Sequence, residues 1–410
     1  MLQHGVTLFV LLLLVGSAVA VVVRLVPLPY ESVLALIGLA IGVTVGSAGL
    51  PGIGGDLILF VLLPGLLFNA AFRLDWRLLR LNLPAVVALA TAGVGLTTLV
   101  VALLGQWALG LAVPFAVLLG AVVAPTDPVT VTALLRRLRL PDRLLNLFEA
   151  ESLVNDGTGV VVFTIALAAT AAGTLSPIAA LVDFVRLAGG GLALGLALGL
   201  AVSLVATRID DPQVELSLTA VTAYGGYLLG QVVHVSGILV VVAAGIVLGN
   251  FGRLHGMSER TRQAVDVFWE YVAYVLNTAV FVLIGLAVPR HELIAAPGAI
   301  VVGAGVALVA RAVPVYLLLP PLWRLPRRGV PLRWQHLLVW GGLRGAVATA
   351  LALSLAGRGG EFERVRALAY GVVLASILFQ GITIGPLARF LVGERAAADN
   401  GGGAGQWTSR

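Results

Sequence analysis

Long apolar runs that follow one another from residue 6 to residue 392 constrain this chain more than any other feature. Each run is about 20 residues long, the length of an α-helix that crosses the hydrocarbon core of a bilayer, whereas a transmembrane β-strand needs about 10. Of the 410 residues, 59% are hydrophobic and only 11% are charged, against about 25% charged in a soluble domain. The sequence therefore predicts an all-α polytopic membrane protein.

We predict about thirteen transmembrane helices from the apolar runs. They lie near residues 6–25, 32–50, 56–73, 83–106, 113–135, 148–171, 178–207, 214–232, 236–250, 266–289, 297–321, 334–356 and 367–392. The Gly-rich stretch 393–410 is expected to be a short, disordered tail.

Arginine is concentrated in alternate loops and supplies all 26 basic residues. The positive-inside rule makes the Arg-rich loops 73–80 and 136–143 cytoplasmic, and with them the C-terminus. The N-terminus is then outside the cell membrane. Residues 1–20 resemble a signal peptide, but Arg24 follows the apolar run instead of preceding it, which favours an uncleaved first helix.

Composition excludes several functions. The chain has no cysteine, so disulfides and thiolate metal sites are not available, and the scattered histidines lack the spacing of a zinc site. The net charge of +6 comes from short loops between apolar spans and signals topology, not nucleic-acid binding. No nucleophile–base pair is evident. We therefore expect neither an enzyme nor a cofactor.

The stretch 148–164 carries polar residues into an apolar span. Ser152 and Asp156 lie four residues apart on one rib of the predicted helix, and Glu151 and Asn155 form the neighbouring rib. Carboxylates inside a span are costly and usually mark an ion or proton path. The alternative is that these residues only cap a helix at the interface.

Two spans are interrupted. In the fifth, Pro125 and Pro128 flank Thr126 and Asp127, and in the twelfth three glycines surround Arg344. If spans 1–6 and 8–13 form two inverted repeats, these are matching positions, and paired broken, crossing helices are the best sequence indication of a transporter's binding site. The alternative is two unrelated breaks.

The residues suggest separate roles. Arg344 cannot lose its proton and needs a buried partner, for which Glu151 is the best candidate. Asp156 is then free to exchange a proton for a metal ion. Carbonyls near Thr126, with Ser152, would complete a shell of hard oxygen ligands. Arg311 is interpreted as a packing or carbonyl-bonded arginine.

Three motifs carry a family resemblance: TDP at 126–128, ESLVND at 151–156 and GGLRGA at 341–346. They resemble those of NhaP/NHE-type sodium/proton antiporters of the cation:proton antiporter-1 family. The stretches LLFNAAF, FWEYVAYVLNTAVFVLIGL and FQGITIGP are similar too, so that the resemblance covers nearly the whole chain.

The resemblance implies a homodimer in the lipid bilayer that exchanges Na⁺, or Li⁺, for H⁺ by elevator-like alternating access. It implies cation contacts at Asp156, Ser152 and the Thr126 backbone, with Asp127 near the site, a Glu151–Arg344 pair, and pocket support from Asn155. The Asn-Asp pair resembles the electroneutral branch. Asn69 replaces a carboxylate that many relatives carry; it can offer a carbonyl oxygen but no charge.

The resemblance also implies a division of the chain into dimerisation and core helices. The expected ranges are dimerisation helices 1–82 and 211–292, core helices 83–173 and 293–392, a linking helix 174–210 and the tail 393–410.

Alternatives remain open at this point. A K⁺/H⁺ antiporter is the close rival, since nothing in the sequence gives the size of the pocket. A cation channel or a transport-inactive sensor belongs to a different class. No TVGYG-type filter supports a channel, and no soluble effector domain follows span thirteen to support a sensor.

Overall fold

A computed structural model describes residues 2–25, 29–45, 55–174, 176–288, 297–324 and 328–392. Within these ranges the chain is helical and contains no strand. The helices are α1 (Leu2–Leu25), α2 (Tyr30–Val45), α3 (Leu57–Arg73), α4 (Trp76–Leu109), α5 (Val113–Val123), α6 (Val129–Arg137), α7 (Asp142–Ala172), α8 (Pro177–Ala206), α9 (Pro212–Val232), α10 (Gly237–Gly252), α11 (Glu259–Leu286), α12 (Pro297–Leu318), α13 (Leu332–Trp340), α14 (Ala346–Leu353) and α15 (Gly360–Leu391).

The all-helical prediction is confirmed. Every predicted span contains a helical segment in its described part, and the fifth and twelfth spans are each split in two, as α5–α6 and α13–α14. By length and apolar composition, six of the described helices can cross a membrane, and they are α4, α7, α8, α11, α12 with its 3₁₀ extension Pro320–Arg324, and α15. The count of thirteen crossings stays a prediction.

Short polar side chains begin many of the helices. Asp75 accepts hydrogen bonds from the Arg77 and Leu78 amides at the start of α4. Asp211 starts α9 and Ser258 starts α11 in the same way. Each cap satisfies amides that have no partner inside the helix. The helix starts of a very apolar chain are thereby fixed by a few loop residues.

Helix α7 is central to the packing. It contacts α4, α5, α6 and α14, and it also contacts α3, α8 and α10. Helix α12 packs on α4, and α14 and α15 pack on α5. Elsewhere α2 packs on α11, and α8 packs on α10. The polar half of α7 therefore lies among apolar helices. The division into core and dimerisation helices stays a prediction.

A glycine stripe sets the approach of α8 to α10. Gly191, Gly195 and Gly199 recur every four residues and share one face of α8. A Cβ atom at Gly191 would lie 2.8 Å from the Ser236 carbonyl oxygen, and one at Gly199 would lie 2.8 Å from the Ala244 carbonyl oxygen. Small residues let the two backbones touch, and close backbone contact replaces the hydrophobic effect as the force between helices in lipid.

Some predictions concern residues outside the described ranges. These are the tail 393–410, the end of the second span at 46–50, and the outer loop that contains Arg290.

The predicted orientation can be tested by labelling, because the chain has no native cysteine. Arg139, in the exposed turn after α6, should be cytoplasmic, and Thr174, exposed after α7, should be outside. An impermeant thiol reagent added to intact cells should label Thr174→Cys and should label Arg139→Cys only after permeabilisation. The reverse pattern would invert the topology.

Candidate ion-binding site

The two broken spans meet at their breaks. Asp127 and Leu343 form an isolated antiparallel bridge, in which the Asp127 amide donates to the Leu343 carbonyl over 2.7 Å. Prolines at 125 and 128 have no amide hydrogen, so the helix cannot continue through this stretch. Backbone that leaves a helix at membrane depth must bond elsewhere in the protein. Each break supplies bonding groups to the other.

Asp127 closes the start of two helices. One carboxylate oxygen accepts from the Val129 amide, 3.0 Å away at the start of α6. The other accepts from the Ala346 amide, 3.4 Å away at the start of α14. Both helix N-termini carry partial positive charge and favour a carboxylate. A Cβ atom at Gly345 would overlap the Asp127 carboxylate, which explains a glycine there.

Asn155 joins α7 to the break at Thr126. Its carbonyl oxygen accepts from the Thr126 amide at 3.2 Å, and its amide nitrogen donates to the Thr126 hydroxyl at 2.8 Å and to Glu151 at 2.9 Å. The Ser152 hydroxyl contacts the Thr126 carbonyl and lies 3.2 Å from the Thr126 hydroxyl. These four buried residues form one polar cluster.

Asp156 lies one turn beyond Ser152 on α7 and is only 8% exposed. Its carboxylate forms no hydrogen bond or ion pair with any other residue in the described part of the chain. Every other carboxylate of the site is held in place. Asp127 caps two helices, and Glu151 is paired. A buried carboxylate without a partner is costly, so Asp156 is the group best suited to receive a proton or a cation.

The predicted Glu151–Arg344 pair is wrong. Both oxygens of Glu151 accept from Arg311 on α12, at 2.8 and 3.0 Å, in a buried bidentate pair. A third Arg311 nitrogen donates to the Leu338 carbonyl at 3.3 Å. A planar guanidinium matches the two carboxylate oxygens. Both arginines lie in apolar spans, and the sequence could not say which one approaches α7.

Arg344 is satisfied mainly by backbone. Its terminal nitrogens donate to the carbonyls of Gly342, at 2.9 Å, and Ala307, at 3.3 Å. Its own amide donates to the Ser376 hydroxyl at 3.0 Å. The side chain is 2% exposed, and its Nε has no partner. Arg344 therefore supports the second break instead of neutralising α7.

Asn69 is not part of the hydrogen-bonded cluster. Its carbonyl oxygen accepts from Arg73, one turn further along α3, at 3.1 Å. Arg73 also donates to the Asp266 carbonyl at 2.8 Å. Helix α3 contacts α7, but the structure records no bond between Asn69 and the polar residues of that helix.

Sequence reasoning missed two further buried polar groups outside this cluster. The Thr158 hydroxyl donates to the Ala90 carbonyl at 2.5 Å, within a π-type stretch of α4, Leu89–Gly93, where the regular helix bonding is disturbed. Glu31, a buried carboxylate at the start of α2, lines a cavity of about 220 Å³ with Thr130 and Arg137. A charge at the start of an apolar run could have indicated Glu31.

The fold and the site define a helical membrane protein whose two broken helices meet beside a buried polar cluster on α7. The family described as "Sodium/hydrogen exchanger, transmembrane" matches residues 9–390. The structure of the sodium proton antiporter MjNhaP1 from Methanocaldococcus jannaschii has the same fold, with a TM-score of 0.80 at 23% identity, over 96% of this chain and 100% of that one.

Curated relatives agree with the family match. The Na⁺/H⁺ antiporter ApNhaP of Aphanothece halophytica is 39% identical over 90% of this chain and 71% of its own length. The Na⁺/H⁺ antiporter NhaP of Pseudomonas aeruginosa is 40% identical over 82% of this chain and 81% of its own. The chain belongs to the sodium/hydrogen exchanger family, and the resemblance to its NhaP-type members is confirmed.

The Glu151–Arg311 pair makes a double-mutant prediction. Arg311→Ala should lower the free energy of unfolding by about 3–5 kcal/mol, because Glu151 is left buried and charged. Adding Glu151→Gln should recover part of that loss. Thermal unfolding of the purified protein measures both changes.

The matched control combines Arg344→Ala with Glu151→Gln. Little recovery is expected in this second cycle, since no bond joins the two residues. If Glu151→Gln recovered more stability in the Arg344→Ala background than in the Arg311→Ala background, Arg344 and not Arg311 would be the partner of Glu151.

Proposed function

We propose that this protein is a secondary active antiporter that exchanges Na⁺ for H⁺ across the membrane. Asp156 carries the proposal, because its buried carboxylate has no partner in the described structure and lies one turn from Ser152 and the break at Thr126. The antiporter names of the relatives and the family match support the same activity.

Competition for Asp156 would couple the two ions. A cation would be held by the Asp156 carboxylate, the Ser152 hydroxyl and the Thr126 carbonyl, while a proton would neutralise the same carboxylate. Oxygen donors of this kind suit hard cations. The loaded or protonated site can cross the apolar barrier, whereas the bare charge is held back by its cost of desolvation.

The fixed groups would keep the pocket in shape. Asp127 holds the starts of α6 and α14, and Asn155 holds the break against α7. Glu151 and Arg311 neutralise one another, so neither adds net charge that would have to move with the ion. With Asp156 as the only exchanging carboxylate, one proton leaves for each monovalent cation, and exchange is electroneutral.

Movement of the site would follow an elevator mechanism in a homodimer, with α4–α7 and α12–α15 as the mobile core. The packing of α12, α14 and α15 with α4 and α5 supports their motion as one unit. Li⁺ would share the site with Na⁺ because it offers the same charge to the same oxygens. K⁺ is less well supported, since the relatives described above are named as Na⁺/H⁺ antiporters.

Asp156→Asn is the direct test. The change keeps the size and one carbonyl oxygen but removes the charge and the titration, so the protein should fold while proton-coupled Na⁺ flux is lost. Acidic-inside vesicles with a pH dye measure that flux. In the parent, apparent Na⁺ affinity should weaken as pH falls, approaching about tenfold per unit well below the pKa of the carboxylate.

Asp142→Asn is the matched control, because this exposed residue lies at the start of the same helix outside the cluster. It should keep parental flux. Near-parental flux in Asp156→Asn vesicles would move the exchange site to Asp127 or Glu151 and overturn the assignment.

We propose that Asn69 lies near the ion path and would offer its carbonyl oxygen to the cation once the hydrogen bond from Arg73 opens. Asn69→Glu should alter apparent Na⁺ affinity and shift the pH optimum of flux, because an added carboxylate attracts the cation and disfavours the ionised form of another carboxyl group. Asn69→Gln, of similar size but neutral, serves as the control. If the affinity and pH profile of Asn69→Glu match those of Asn69→Gln, Asn69 lies outside the ion shell.

A further inference from the structure

A second cavity lies apart from Asp156, between α12, α15 and the break before α14. Its volume is about 410 Å³, within the range of small-molecule sites. Fourteen residues line it, among them Val301, Gly305, Leu308, Arg311, Arg344 and Phe379. Most of these side chains are apolar, and the charged groups in the wall are both arginines.

Arg344 leaves a positive charge uncompensated at this cavity. The side chain is 2% exposed and forms no ion pair with any described residue, and its Nε–H has no hydrogen-bond acceptor. Glu151, the nearby carboxylate, already gives both oxygens to Arg311. A buried guanidinium without an anion is costly. Because Arg344 lies in the wall of this cavity, a negative group bound there would offset that cost.

The remaining side chains of the wall are mostly apolar and suit a hydrocarbon chain. Val301 and Phe379 border the cavity and are 72% and 62% exposed on the outer surface of the helix bundle. Helices α12, with its 3₁₀ extension, and α15 are long and apolar enough to cross a membrane, where these exposed side chains would contact lipid chains. A small inorganic anion would satisfy Arg344 but leave the apolar volume unfilled. An amphiphile satisfies both, with its charged head inside and its chain along α12 and α15.

We propose that this cavity binds an anionic amphiphile whose carboxylate or phosphate accepts a hydrogen bond from Arg344 and whose hydrocarbon chain packs between α12 and α15. The site is separate from the proposed ion exchange at Asp156 and does not depend on it. Bound there, the amphiphile would complete the charge balance of the second break and stabilise the packing of α12 against α15.

The test uses the full-length protein purified in an uncharged maltoside detergent at pH 8. Thermal unfolding is followed as laurate, dodecyl phosphate, dodecanol or sodium chloride is added. A ligand that binds only the folded protein raises the unfolding temperature as its concentration exceeds the dissociation constant. Laurate or dodecyl phosphate should raise it at concentrations where dodecanol and chloride do not.

Gly305→Leu is the deciding variant. Gly305 lines the cavity, and a Cβ atom there meets nothing within 4 Å, so that a leucine side chain can be accommodated and would occupy part of the cavity. The variant should fold and bind the anionic amphiphile at least about tenfold more weakly. Gly298→Leu is the matched control, because Gly298 lies on the same helix with equally open space and does not line the cavity. It should bind like the parent.

If the Arg344→Gln variant folds, it should bind laurate no better than dodecanol. If it does not fold, the Gly305→Leu variant still tests the proposal. An unchanged laurate response in Gly305→Leu would overturn the proposal. If dodecanol stabilised the protein as much as laurate does, the cavity would be an apolar site without a preference for anions, and the proposal would be wrong. If chloride stabilised the protein as much as laurate does, the cavity would be a site for small anions, and the proposal would again be wrong. A response to only one of laurate and dodecyl phosphate supports the proposal and identifies the head group.

Discussion

The need to satisfy backbone groups inside an apolar protein is the constraint on which the rest of the structure depends. Two helices are broken where water is scarce, and the amides and carbonyls released there must find partners in the protein. The Asp127 amide bonds to Leu343, the Asp127 carboxylate holds the starts of two helices, and Asn155 bonds to Thr126. The bundle therefore stays intact around the two breaks, and the Thr126 carbonyl lies in contact with the Ser152 hydroxyl.

Buried charge is distributed under the same constraint. The bidentate Glu151–Arg311 pair neutralises two buried groups at once, and Asp127 is stabilised by helix N-termini instead of a cation. Those arrangements leave a negative group, Asp156, and a positive group, Arg344, without a charged partner among the described residues. We assign the first to transported ions and the second to an amphiphile from the membrane.

The proposed exchange depends on one carboxylate without a partner, that of Asp156, surrounded by groups that are held in place. Asn155 and Asp127 are each held by several bonds, so they can shape the pocket while Asp156 changes occupant. A proton and a monovalent cation remove the same unit of buried charge. That equivalence is sufficient for coupling, and it needs no conformational signal between separate sites. The helices that hold these groups pack with one another, and in the proposed elevator mechanism they would move together.

Much of this protein was determined by the sequence alone. Apolar runs of membrane length predicted the helices. The two breaks were predicted by Pro125 and Pro128 and by the glycines around Arg344. The family was indicated by the three motifs. These features are local, because a helix or a break depends on neighbouring residues. The tertiary structure decided the partners. It placed Arg311, not Arg344, on Glu151, and bonded Asn69 to Arg73. An ion pair depends on which of two arginines, each in an apolar helix, is packed close enough to α7, and that distance is fixed only when the helices pack together.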